Sequence, residues 1–233
     1  MGDPAGIGPE ILVRTLLNGD GNEDARGKKT ATEHTRWILV GAHWALEKGA
    51  ETLSRALPPL HHIAAPDEAI PGWNLLDLGM PEPADFRLGQ VQSACGDLAV
   101  QAVEWAAKRC LNGELAAMVT APINKEAIHT AGYVNDIGHQ EILARLAGVS
   151  QTATMLMTPG LRVVHLSTHK SLAKAVEFVT AAQVLGKLHL IHDTLTQWGL
   201  AQPRIAVAAL NPHGGEGGLL GREEIEELKP AVA

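Results

Sequence analysis

The chain has 233 residues, enough for one large domain or two small ones. Hydrophobic residues make up 45% and charged residues 19%, a balance that excludes wholesale disorder. The net charge is -7 with Lys and Arg scattered, so the basic stripe of a nucleic-acid binder is missing and no nucleic-acid partner is expected.

No apolar run approaches the ~20 residues that cross a bilayer. The start Met1-Gly2-Asp3-Pro4 lacks the basic and apolar regions of a signal peptide. Cys95 and Cys110 fall in one expected helix. Fifteen helical residues rise about 22 Å, too far for a disulfide, whose Cα atoms lie ~4.4–6.8 Å apart. A reduced, cytoplasmic protein is expected. The 11 histidines raise the expectation of a metal or acid–base site.

In chain order, strand-like and helix-like segments alternate, which predicts an α/β protein with a largely parallel sheet. Trp37 to Val40 reads as a buried strand, with Gly41 opening a turn into a helix. Gln90 to Leu111 reads as a long helix with Ala99, Ala102, Val103, Ala106 and Cys110 on one stripe. Leu115 to Val119 reads as a second buried strand. Thr154 to Met157 and Leu161 to Leu166 flank the turn Thr158-Pro159-Gly160. Thr180-Ala181-Ala182-Gln183 has capping-box spacing and starts a helix that Gly199 ends. Arg204 to Leu210 is the last expected strand, and an acidic helix begins near Arg222. Asn18 to Thr35 is polar and reads as an exposed loop. The domain reads as incomplete at both ends, with loop chemistry at residue 2 and no strand before it.

Five stretches carry candidate chemistry. Gly2 to Glu10 is a Gly-rich loop feeding a helix, with Pro9 suited to the first helical turn. It is either an anion-binding helix start or a tight turn. Ile11 replaces the third small residue of a dinucleotide fingerprint, and no Lys-Ser/Thr pair makes it a phosphate-binding loop. Thr120 to Lys125 follows an expected strand, where ligands of parallel sheets bind. Lys125 there either holds an anion, moves a proton or is simply solvated. His139, in Gly138-His139-Gln140-Glu141, either hydrogen-bonds a substrate or caps a helix. His169 and His213 each follow an expected strand, and two such imidazoles can converge on one metal ion. The glycines after His213 allow close backbone approach. His34, His43, His61, His62, His189 and His192 read as surface or packing residues.

Together MGDPAGIGPE (1–10), TAPINKEAIHTAG (120–132), GHQE (138–141), LRVVHLSTHKSL (161–172) and ALNPHGGEGGLLGREE (209–224) resemble the 4-hydroxythreonine-4-phosphate dehydrogenase (PdxA) family of vitamin B6 biosynthesis, in family order. The resemblance implies a two-lobed α/β/α fold similar to isocitrate and isopropylmalate dehydrogenases. Residues 1–130 would form one lobe and 131–233 the second, dimer-forming one. It implies a homodimer with the active site at its interface, NAD or NADP, and a divalent metal (Zn, Mg or Co) held by three histidines. By motif, His169 and His213 look like two of these ligands, and His139 and Gln140 look like substrate contacts. Lys125 is a candidate for anion or proton handling. The family's third metal His, in a His-Asp-Gln-Gly motif, and its nucleotide segment lie downstream of position 233.

The implied reaction oxidises a secondary alcohol next to a carboxylate-bearing carbon and passes hydride to the nicotinamide. The metal acts as a Lewis acid, and the β-keto acid then loses CO2. The expected substrate is 4-phosphohydroxy-L-threonine or a close relative. Gln140 stands where the best-known members have Thr, which keeps a four-carbon aldonate 4-phosphate as an alternative. A second alternative is a non-catalytic fragment that dimerises or binds an anion. Whether the reading frame continues past Ala233 into a His-Asp-Gln-Gly segment separates that fragment from a longer dehydrogenase.

Overall fold

The computed structural model describes residues 1–18, 35–136, 138–168 and 170–233. The polar stretch expected as a loop after Asn18 therefore lies outside the described residues, its two ends apart. The chain divides into two compact units, Met1–Ser150 and Gln151–Ala233. Among the described residues no helix is long and apolar enough to cross a membrane.

The first unit is built on a parallel sheet of β1 (Arg36–Gly41), β2 (His61–His62) and β3 (Gly72–Asp77), in the order β1-β3-β2. Successive strand residues point to opposite faces, and both faces are buried, so each strand carries a run of consecutive buried residues. Leu39 and Leu75 pair in register and pack with Val13 and Leu16 of α1 (Gly8–Asn18) and Leu46 and Ala50 of α2 (His43–Thr52). Their neighbours Val40 and Leu76 face the other way, against Ile63, Ala69 and Ala102 of α3 (Ser93–Leu111). The result is an α/β/α sandwich, each buried Leu or Val stabilising it by about 1.5–3 kcal/mol.

On α3, Ala99, Ala102 and Val103 are buried as the stripe predicts, while Ala106 and Cys110 at its edge are half-buried. Cys95 and Cys110 are free thiols on this one helix. The far side of α3 buries Val100 and Val103 against Ile128 of α4 (Lys125–Thr130) and Ile142 of α5 (His139–Ala147). That packing places residues 131–150, expected in the second lobe, with the first unit.

The second unit holds the antiparallel hairpin β4 (Met155–Thr158) and β5 (Leu161–Val164), joined at Pro159-Gly160 as expected. Gly160 has φ 83°, the left-handed conformation such a turn requires. Then come α6 (Leu172–Glu177), α7 (Ala181–Gln197), a π-helical turn (Glu224–Leu228) and α8 (Lys229–Val232). Thr180 caps α7 by accepting the Gln183 N–H, and Val184 packs on Leu228 and Ala231.

Two expected strands are absent. Leu115 to Val119 and Arg204 to Leu210 run without a ladder, since apolar residues form a strand only where a neighbour accepts their hydrogen bonds. Val119 is 89% exposed, and Ile205 to Leu210 instead line a cavity of about 390 Å³ with α6 and α7.

Candidate functional site

The Gly-rich loop sits between the end of β1 and the segment before α4. The Met1 ammonium donates to the Val40 carbonyl at 3.0 Å, and the Asp3 N–H donates to the Pro122 carbonyl at 3.0 Å. Gly2 permits this approach. It has φ +80°, and a Cβ there would lie 2.3 Å from the Pro122 oxygen, which no side chain tolerates.

Within the loop, Asp3 Oδ1 accepts the Ala5 N–H at 2.8 Å, and the Gly6 N–H donates to the Asp3 carbonyl at 3.1 Å. Asp3 is 4% exposed, and burial pushes its carboxyl above the ordinary carboxylate range. Three loop N–H groups are thus taken up inside the protein around an acidic side chain. These bonds form a tight turn ahead of α1.

Pro122 leads into α4, whose first turn is capped by Asn124. Its Oδ1 accepts the N–H groups of Glu126 and Ala127 at 2.9 and 3.0 Å. Lys125, the first residue of α4, is exposed. Its Cε comes within 3.7 Å of where a Cβ on Gly138 would sit. Lys125 therefore runs beside the entry to α5, which begins at His139 with the extended Gly138 as its N-cap. Gly138 offers no side chain to cap that helix.

The His139 ring is half-buried, and its Nε2 is buried with no hydrogen-bond partner. Burial first, and then the Met1 ammonium, hold its pKa below the ordinary histidine value. At neutral pH the ring is neutral, with one donor and one acceptor nitrogen. A buried polar atom without a partner costs about 1–3 kcal/mol, which a bound hydrogen-bonding group would offset. Gln140 follows it on α5, also half-buried. The structure thus brings Lys125 and the start of α5 together.

His213 lies in the second unit and is exposed. It opens a run of five residues, His213 to Gly217, all with positive φ between 44° and 78°. This is a left-handed turn that only a Gly-rich sequence sustains. His169, the other expected metal ligand, lies outside the described residues. Among the described residues no three His, Cys, Asp or Glu side chains converge to hold a metal ion. Nor does any described loop carry a dinucleotide fingerprint, and no residue is assigned to the nucleotide.

Sequence reasoning missed two acidic residues that shape these loops. Asp136 is 5% exposed beside Arg145, and Glu224 is 6% exposed beneath Asn211. Nothing local marks either one, because their partners lie nine and thirteen residues away.

This structure superposes with TM-score 0.84 on a solved 4-hydroxythreonine-4-phosphate dehydrogenase from Klebsiella pneumoniae, 36% identical, covering 100% of this chain and 67% of that one. The class is accordingly the α/β fold of these dehydrogenases. A profile of the family described as "Pyridoxal phosphate biosynthetic protein PdxA" matches residues 33–233, and the chain belongs to that family. It is 38% identical over 236 residues to the D-threonate 4-phosphate dehydrogenase of Salmonella typhimurium, covering all of this chain and 68% of the relative. It is 37% identical over 238 residues to the 4-hydroxythreonine-4-phosphate dehydrogenase of Geobacter metallireducens, covering all of this chain and 66% of the relative. The chain spans 65% to 68% of the length of the curated relatives it matches.

Proposed function

We propose that the chain carries part of the active site of a nicotinamide-dependent dehydrogenase that oxidises a phosphorylated four-carbon hydroxy acid. The relatives named for two such substrates support the reaction class. The observation that carries the site is the buried, unpartnered Nε2 of His139 at the start of α5, with Lys125 alongside. In this reading Lys125 supplies a positive charge for a phosphate or carboxylate oxygen. The neutral His139 ring hydrogen-bonds and orients the substrate, and Gln140 completes the contact. NAD or NADP accepts the hydride.

The metal role of His169 and His213 rests on their motifs. Equilibrium dialysis against Zn or Co, with His169→Ala and His213→Ala beside the parent, tests it. A cytoplasmic homodimer completes the proposal, and light scattering tests the dimer.

The direct experiment titrates the purified chain with D-threonate 4-phosphate and with 4-phosphohydroxy-L-threonine, then follows NAD or NADP reduction. Binding that His139→Ala weakens at least tenfold supports the site. Binding without reduction supports the non-catalytic alternative, and no binding of either compound overturns the assignment.

A further inference from the structure

The helix that begins at His139 starts without a side-chain cap. Gly138 has no side chain, and the first backbone bond of α5 runs from the Ile142 N–H to the Gly138 carbonyl at 3.2 Å. Glycine is an accepted N-cap, but it lends no side-chain acceptor to fix the direction in which the chain enters the first turn. Asp136, two residues before Gly138 and 5% exposed, provides a restraint on that entry. Arg145, on the body of the same helix, donates from Nε to Asp136 Oδ1 at 3.1 Å and from Nη2 to Oδ2 at 2.6 Å. This two-pronged pairing fixes direction as well as distance.

Arg145 is itself tied to α3, because its Nη2 also donates to Glu104 Oε1 at 2.7 Å. A second stake lies at the other end of the connection, where the Tyr133 hydroxyl donates to Asp97 Oδ1 on α3 at 2.7 Å. Tyr133 and Asp136 are therefore held to α3 at two points, Tyr133 directly and Asp136 through Arg145. The groups facing the pair are Glu104 and Lys108, which bond each other at 2.9 Å.

The geometry points to Asp136 as a positioning residue. Paired with Arg145, it fixes the entry to α5 and so sets where His139 stands relative to Lys125. This rests on the reading of His139 as a substrate contact and adds the device that holds it in place. Asp136 touches no substrate in this reading, and its effect passes wholly through the start of α5.

Asp136→Asn keeps the shape and removes the charge. Arg145→Lys is the second, milder variant, which keeps the charge and loses the fork. Two measurements on the full chain decide the matter. In amide exchange, Asp136→Asn is expected to speed the Ile142 amide about tenfold while leaving the amides of Val13 and Leu46 unchanged. In titration with D-threonate 4-phosphate, Asp136→Asn is expected to weaken binding about tenfold. The double variant His139→Ala with Asp136→Asn should bind no more weakly than His139→Ala alone. Arg145→Lys follows the same order with smaller effects.

A general structural role would instead multiply the two losses to about a hundredfold. Multiplied losses, or an Ile142 amide that exchanges at the parent rate in both variants, overturn the inference. Unchanged affinity in His139→Ala overturns the substrate reading instead, whatever the exchange at Ile142.

Discussion

The Glu224 carboxylate accepts the backbone N–H of Asn211 at 2.6 Å, the Asn211 side-chain amide at 2.9 Å and the Leu210 N–H at 2.9 Å. One buried acid thus fastens the chain just before the left-handed turn of His213. The Asn211 side-chain amide, and then its backbone N–H, hold the Glu224 carboxyl below the ordinary value.

Glu224→Gln replaces one acceptor oxygen with an NH2 group and sets it against a donor. The expected outcome is a Tm lowered by roughly 3–8 °C near neutral pH. The pH dependence has a definite sign. A carboxyl lowered in the folded state adds stability above its ordinary value, and that stability is lost as pH falls through the folded value. The difference in Tm between parent and Glu224→Gln should therefore shrink on acidification below about pH 4.5. A difference that stays constant down to acid would show that the Glu224 charge contributes nothing.

The same turn separates two costs that are usually mixed. Gly217 has φ +69° with open space around it. Gly215 has φ +78°, and a Cβ there would lie 2.9 Å from both the Gly221 carbonyl and Glu224 Oε2. Gly217→Ala should cost only the left-handed strain, about 1–2 kcal/mol. Gly215→Ala should cost that strain and the displacement of Glu224 and the Gly221 backbone as well. Denaturant unfolding of the two variants checks the order, and equal losses would contradict the contact at Gly215.

The Tyr133 hydroxyl is pushed up to about 12, chiefly by burial and then by its bond to Asp97. In the unfolded chain the phenol ionises near 10. Between those values the unfolded state releases a proton that the folded state keeps, so stability falls as pH rises. Cys95, pushed up to about 11 by burial, acts in the same direction over an overlapping range. The Tm of the parent should drop from about pH 9 upward through Cys95, and more steeply above about pH 10 where Tyr133 joins it. Tyr133→Phe should lose some stability at neutral pH, where the bond to Asp97 is gone, yet show a shallower drop in alkali. An equally steep drop would place the alkaline sensitivity elsewhere.

Local chemistry made much of this fold legible. Thr180 caps α7 on Gln183, Pro159-Gly160 turns the hairpin, and Ala99, Ala102 and Val103 of the α3 stripe are buried. These features depend on residues within a turn or two of one another. β3 was not legible, because Asn74 interrupts its apolar pattern. Asn74 is buried only because its side-chain amide donates to the carbonyls of Trp37 and Ile70, and Trp37 is 37 residues away. Leu115 to Val119 and Arg204 to Leu210 show the converse. Their composition suits strands, but a ladder is a property of two segments, and one segment cannot announce its neighbour. In the site, the GHQE motif drew attention to His139 but not to the pair of Asp136 and Arg145 that anchors the helix it starts.

Gln140 offers the last test, since it follows His139 at the start of α5 where the resemblance places Thr in the best-known members. Gln presents a carbonyl and an NH2 group on a longer arm than the single hydroxyl of Thr. At a substrate contact that exchange alters both pocket volume and hydrogen-bond pattern. Sites built around one polar group reject compounds that leave it unpaired, by up to ~10^4–10^5 in the strongest cases. The expected preference is for D-threonate 4-phosphate over the amino-bearing 4-phosphohydroxy-L-threonine, with Gln140→Thr moving the ratio toward the amino compound. A half-buried position at a helix start favours a modest ratio, about tenfold, because part of the side chain remains solvated. Calorimetric affinities for both compounds, on parent and variant, measure that ratio. Equal ratios in the two proteins would remove Gln140 from the determinants of specificity.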